Sequence, residues 1–138
     1  MRLSAYYAEF GIDPDTAPPG AGRNPFDETG CALVEELRPQ VVSFHFGLPA
    51  PALVGRLKKT GARVIASATT VAEARWLEER GCDAIIAQGA EAGGHRGLFL
   101  TDDVAAQPGT MALVPQVVDA VAVPVIAAGG IADPRAVA

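Results

Sequence analysis

The chain has 138 residues, 49% hydrophobic, 20% charged and 6% aromatic, which suits one packed domain and argues against disorder. A formal net charge of −5 and a pI near 4.9 exclude the clustered basic surface that a nucleic-acid partner requires. The longest apolar runs are strand-sized, short of the ~20 residues that span a bilayer, so no membrane helix is expected.

Residues 1–10 can form a short amphipathic helix through Leu3, Tyr6, Tyr7 and Phe10. From Gly11 to Phe26 the density of proline and glycine (Pro14, Pro18, Pro19, Gly20, Gly22, Pro25) reads as a loop. A helix is expected over Asp27–Arg38, with Ala32, Leu33, Glu36 and Leu37 placing its apolar groups on one side. Val41–Phe46 is the first strand. Pro49–Lys59 follows as a helix carrying Leu53, Val54 and Leu57, stopped by Gly61. Its Arg56, Lys58 and Lys59 read as a solvated face. Arg63–Ser67 is the second strand, Val71–Arg80 a helix with Ala74 and Leu77 facing inward, and Asp83–Gln88 the third strand. After a glycine-rich segment comes a helix ending near Val121, either capped by Thr110 or holding Pro115 in its first turn. Val123–Ala128 is the fourth strand, and Asp133-Pro134 signals a further helix start.

Strands that are apolar almost throughout, alternating with amphipathic helices, imply a parallel sheet covered by helices. Periodicity alone leaves two architectures open, a doubly wound sheet and part of a (β/α) barrel. Cys31 and Cys82 are isolated and form no CxxC pair, and no basic stretch followed by an apolar run opens the chain; both point to a reduced, cytoplasmic protein. The final helix is only a few residues long when the chain stops at Ala138, so the sequence reads as a fragment or a truncated reading frame.

The stretch with most chemical content is Gln88-Gly89-Ala90-Glu91-Ala92-Gly93-Gly94-His95-Arg96-Gly97. It follows a buried strand, and in parallel α/β folds ligands bind at that carboxyl edge. Glycines allow close backbone approach to a bound group, and an imidazole among them can serve as base or hydrogen-bond partner. The competing interpretation is a flexible loop with an incidental histidine. Ala127-Ala128-Gly129-Gly130-Ile131-Ala132-Asp133-Pro134 joins a strand to a helix start through two glycines, a usual place for a phosphate, although a tight turn without ligand has the same pattern. It is neither GxGxxG nor a Walker loop. His45, in Ser43-Phe44-His45-Phe46-Gly47, reads as a packed, hydrogen-bonded strand residue. His45 and His95 have no third ligand at metal-binding spacing, so no metal site is expected. Ser43 and Ser67 lack a nucleophile-elbow context, and Asp102 and Asp103 read as solvated loop.

Together, Phe46-Gly47-Leu48-Pro49 closing the first strand, the Gln88–Gly97 loop, the Met111–Val121 helix and Ala127–Ile131 resemble the nitronate monooxygenases, formerly called 2-nitropropane dioxygenases. The likeness covers essentially residues 32–138, and the Gln-Gly-x-Glu-Ala-Gly-Gly-His run is its specific part. The resemblance implies a TIM barrel holding FMN without a covalent link, of which this chain is roughly the middle half. It places His95 on the active-site histidine, Gln88, Gly93 and Gly94 along the flavin, and Gly129 and Gly130 at the FMN phosphate. The implied partners are an alkyl nitronate and O2, and the implied products a carbonyl compound and nitrite. Early strands with flavin contacts would precede Met1 and a last strand would follow Ala138, so the chain alone is expected to bind FMN weakly or not at all. Two rivals share the superfamily, an FMN-dependent enoyl-acyl carrier protein reductase and an NADH:quinone reductase. A third alternative is an inactive remnant of the parent enzyme.

Overall fold

The computed structural model describes residues 3–13 and 25–137. Among the described residues four strands form where apolar, β-branched residues cluster: β1 (Val41–Phe44), β2 (Arg63–Ala68), β3 (Ala84–Gln88) and β4 (Val125–Ala128). Between and before them lie α1 (Ser4–Glu9), α2 (Glu28–Leu37), α3 (Pro51–Lys59), α4 (Val71–Glu79) and α5 (Thr110–Ala120), with 3-10 turns at Val104–Ala106 and Pro134–Ala136. Local chemistry sets the helix starts. The Asp27 carboxylate accepts from Gly30 N at 3.0 Å to open α2, and the Thr70 hydroxyl accepts from Glu73 N at 3.2 Å to open α4.

All three ladders are parallel and the sheet order is β1-β2-β3-β4, with Phe44 opposite Ala66, Ala66 opposite Ile85, and Ile85 opposite Val125. Each strand lies beside its neighbour in sequence, and parallel crossovers are right-handed. The connecting helices therefore stack on one side of the sheet. A doubly wound sheet reverses its strand order and places helices on both sides, so the order decides for the barrel.

Pleating divides each strand between two faces. Val64, Ala66, Ala68, Ile85 and Ala87 point to the helices and are fully buried, packing with Leu57 of α3, Leu77 of α4, and Leu113 and Val117 of α5. Burying each of these leucines stabilises the fold by roughly 1.5–3 kcal/mol before conformational entropy is counted. The other face is far more open; Val41 is 50% exposed and Ile126 46%. Among the described residues no helix is long and apolar enough to cross a membrane.

Several expectations change in detail. α2 forms, but it turns Cys31 and Val34 inward and leaves Leu33 and Leu37 in solvent. The reason is its docking on α3. Arg56 donates to the two carboxylate oxygens of Glu35 at 2.8 and 2.7 Å and pairs with Glu28, which fixes the helix rotation. Arg56 is thus no solvated charge, whereas Lys58 and Lys59 are exposed as expected. α1 exists, yet Leu3, Tyr6 and Phe10 remain more than half exposed. β1 stops two residues early, leaving His45 beyond the strand. α5 starts at Thr110 with Gly109 in the cap position, so Thr110 is its first helical residue and Pro115 lies inside the helix. Asp133 caps as expected, accepting from Arg135 N at 2.8 Å, but what it caps is a 3-10 turn. Of the proline-rich loop, residues 14–24 lie outside the described residues.

Candidate active site

Because the strands are parallel, the segments leaving Phe44, Ala68, Gln88 and Ala128 share one edge of the sheet. At the first, Phe46 adopts φ +64°, a left-handed conformation that costs a bulky residue about 1–3 kcal/mol. That reversal ends β1. His45, immediately before it, places Nδ1 2.8 Å from the Oγ of Ser67, a buried residue near the end of β2. The Phe46 ring meets the His95 imidazole edge-on, with centroids 6.2 Å apart.

His95 sits on a segment with no regular structure between β3 and the Val104–Ala106 turn, yet side chains hold that segment at several points. Gln88 spans it. Its Nε2 donates to the His95 carbonyl at 3.0 Å, and its Oε1 accepts from Gly97 N at 2.7 Å. Near the start, the Glu91 carboxylate accepts from Thr110 N at 2.7 Å and from the Thr110 hydroxyl at 2.8 Å, occupying the amino end of α5. The hydrogen bond from the Thr110 amide, then that from its hydroxyl, holds the Glu91 carboxyl below its usual 4.5. Arg96 donates to the Ala92 carbonyl at 2.7 Å. At the far end, Phe99 N and Leu100 N donate to the buried Glu73 carboxylate.

His45, Phe46, Gln88, Gly93, His95 and Gly97 line one pocket of about 450 Å³. A neighbouring hollow of about 440 Å³ includes Glu91, Thr110, Gly129, Gly130 and Ile131 in its walls. A larger hollow, about 650 Å³, lies between α3 and α4 and contains neither imidazole. The structure therefore brings Gln88, Gly93 and His95 together, and keeps Gly129 and Gly130 at the adjacent strand end. Gly94 lies in the same loop at φ +76° but does not line the pocket.

Several features fit a flavin. A Cβ at Gly93 would meet nothing within 4 Å, so the pocket wall there is open space rather than packed protein. Gly130 turns at φ +69°, and the N–H groups of Gly130 and Ile131 make no hydrogen bond within the described residues, which leaves two donors for a phosphate. Glu91 lies beside them, since a Cβ on Gly130 would fall 3.3 Å from the Glu91 Cβ, but its carboxylate is turned onto Thr110. Gln107 Oε1 is buried with no partner among the described residues, while its Nε2 donates to the Gln88 carbonyl at 2.9 Å.

His45 was the weaker candidate by sequence, and its strand position gave no sign that it would share a pocket with His95. Ser67 and Glu73 lie in no chemical motif, and Glu91, although inside the Gln88–Gly97 run, has no role of its own assigned by the sequence. One local signal was present for Glu73, the spacing Thr70-x-x-Glu73 of a helix capping box. Asp102 and Asp103 are exposed, as expected, and Asp103 caps the 3-10 turn after it. Among the described residues no group of three or more His, Cys, Asp or Glu could hold a metal ion.

A sequential parallel sheet with its helices on one side and a two-imidazole pocket at its carboxyl edge defines a segment of a (β/α) barrel with a candidate ligand pocket. The family model described as nitronate monooxygenase matches residues 7–138. The chain belongs to the nitronate monooxygenase family. A nitronate monooxygenase of Paraburkholderia phytofirmans is 48% identical over 112 residues, covering 81% of this chain and 31% of that protein. The crystal structure of a nitroalkane oxidase from Streptomyces ansochromogenes superposes with TM-score 0.78 at 37% identity, over 90% of this chain and 36% of that one. FabK from Thermotoga maritima superposes with TM-score 0.66 at 36% identity, over 83% and 34%. The chain thus spans about a third of the length of each of these proteins.

Proposed function

We propose that this protein works as an FMN-dependent nitronate monooxygenase, converting alkyl nitronates and O2 to carbonyl compounds and nitrite. The observation that carries the proposal is the shared pocket of His45 and His95, walled by Gly93 and closed by Gln88. A nitronate is an anion with two adjacent oxygens and is already electron-rich at carbon, so it needs orientation more than a strong base. His95 supplies a hydrogen bond to a nitronate oxygen, or accepts the α-proton when a neutral nitroalkane binds. His45, steadied by Ser67, offers a second imidazole to the same anion. Gln88, Gly93 and Gly94 would flank the flavin ring, and Gly129 and Gly130 would receive its phosphate. When bound, FMN supplies the redox chemistry, taking electrons from substrate and passing them to O2. Both described thiols, Cys31 and Cys82, are buried and unpaired, which suits the reducing cytoplasm.

The test is nitrite and carbonyl formation from an alkyl nitronate by the protein at saturating FMN. Equimolar release of the two is expected, and no nitrite at any flavin concentration would overturn the assignment. A second reading is the flavin-dependent reductase that the sequence leaves open, which would consume NAD(P)H, and the likeness in fold to FabK is compatible with it. NAD(P)H oxidation in the absence of nitronate separates the two.

A further inference from the structure

Glu73 is the most deeply buried charged side chain described, with no exposed surface, and no ion pair neutralises it among the described residues. Its carboxylate is divided between two parts of the chain. Oε2 accepts from the amide and the hydroxyl of Thr69, each at 2.7 Å, in the turn between β2 and α4. Oε1 accepts from Phe99 N at 2.7 Å and Leu100 N at 3.2 Å, at the far end of the His95 segment. A capping-box glutamate would satisfy only the helix entrance. Here half of the carboxylate reaches 26 residues along the chain. The same end is packed from other sides. The Phe99 ring lies edge-on to Trp76 of α4 with centroids 5.1 Å apart, and a Cβ on Gly47 would touch the Phe99 ring at 3.4 Å.

Two chains of contact leave this point for the pocket. From Thr69 the chain runs back two residues to Ser67, which holds His45. From Phe99 it runs back two residues to Gly97, which Gln88 ties to the His95 carbonyl. We propose that Glu73 is a positioning residue that sets the His95 segment against the end of β2, and thereby the spacing of the two imidazoles. Its significance for catalysis rests on the function proposed above; its effect on the loop does not.

The test uses Glu73→Gln in the full chain, with amide hydrogen exchange and the NMR signal of the His95 ring as readouts. Glutamine matches the size of glutamate but turns an N–H₂ toward one of the two donor pairs. Phe99 and Leu100 amides are expected to exchange about tenfold faster or more, with Ile85 and Ala87 of β3 unchanged and the His95 ring signal displaced. Thr69→Val removes only the hydroxyl donor and is the milder companion, expected to move the same amides in the same direction by about threefold. Should Glu73→Gln fail to fold, Thr69→Val alone decides. Unchanged loop exchange overturns the proposal, as does equal acceleration of loop and β3 amides, which would mark Glu73 as a contributor to global stability only. Because none of these readouts needs turnover, failure of the nitronate reading would leave the result intact.

Discussion

The segment after β3 and the turn after β4 are both rich in glycine and both leave the same edge of the sheet, but Gly93 in the first and Gly129 in the second do opposite work. At Gly93 a side chain would enter open space, so the missing Cβ enlarges the pocket. At Gly129, with φ +129°, a Cβ would fall 2.6 Å from the Thr110 hydroxyl and 2.9 Å from Ala92 N, so the missing Cβ lets two segments of the protein touch. Order also arises differently. The His95 segment is held by side chains arriving from elsewhere, Gln88, Glu73 and Thr110, whereas the β4 turn is held by its own backbone and by close packing. A glycine string therefore says where a chain comes close to something, and only the surroundings say whether that something is a ligand.

Substitutions can break this contrast. The largest effect is expected from His95→Asn, which keeps a polar side chain but cannot act as a base. Nitrite release from a neutral nitroalkane at saturating FMN should fall by about 10²- to 10⁴-fold, with release from the preformed nitronate reduced less and the melting temperature little changed. Gly129→Ala should act in the reverse sense, costing about 2–3 kcal/mol of stability in urea titration through strain and overlap at Thr110. Gly93→Ala sharpens the comparison, with stability within about 0.5 kcal/mol of the parent but FMN affinity, measured by flavin fluorescence quenching, weakened about tenfold as the methyl group takes up pocket space. Equal loss of stability in the two glycine variants would erase the distinction. The smallest effect concerns Glu91, whose carboxyl lies below its usual 4.5 because of the two Thr110 hydrogen bonds. A depressed folded-state value means that this cap stabilises above the unfolded-state range and is lost as pH falls through the folded one. Acid titration followed by circular dichroism should show Glu91→Gln less stable than the parent at neutral pH, with the two curves converging as pH falls below the usual 4.5 and through the depressed folded-state value.

Much of this architecture was legible in the residues. The strands β2 and β3 turn Val64, Ala66, Ala68, Ile85 and Ala87 to the helices and keep Ile65, Ala84 and Ile86 on the other face, and that nearly continuous apolar run predicts a parallel sheet. The His95 segment announced itself by glycines and a histidine directly after such a strand. What escaped depends on partners distant in sequence. Leu33 and Leu37 look like the buried side of α2, but the ion pairs from Arg56 turn Cys31 and Val34 inward instead. His45 seemed to lie within a strand because nothing local foretells the left-handed Phe46 that ends it. Glu73 resembles an ordinary helix-entry glutamate, since its second pair of hydrogen bonds is made to residues that only the folded chain brings near.

The strand order has one further consequence, for how such a protein is put together over evolutionary time. Every ladder here joins a strand to the next one along the chain: Val41 to Arg63, Ile65 to Ala84, Ile85 to Val125. No strand must be inserted between two others that were made earlier. A strand and its following helix can therefore be duplicated, exchanged or removed as a unit without re-threading the remainder, because each unit's hydrogen-bonding partners are the units immediately before and after it.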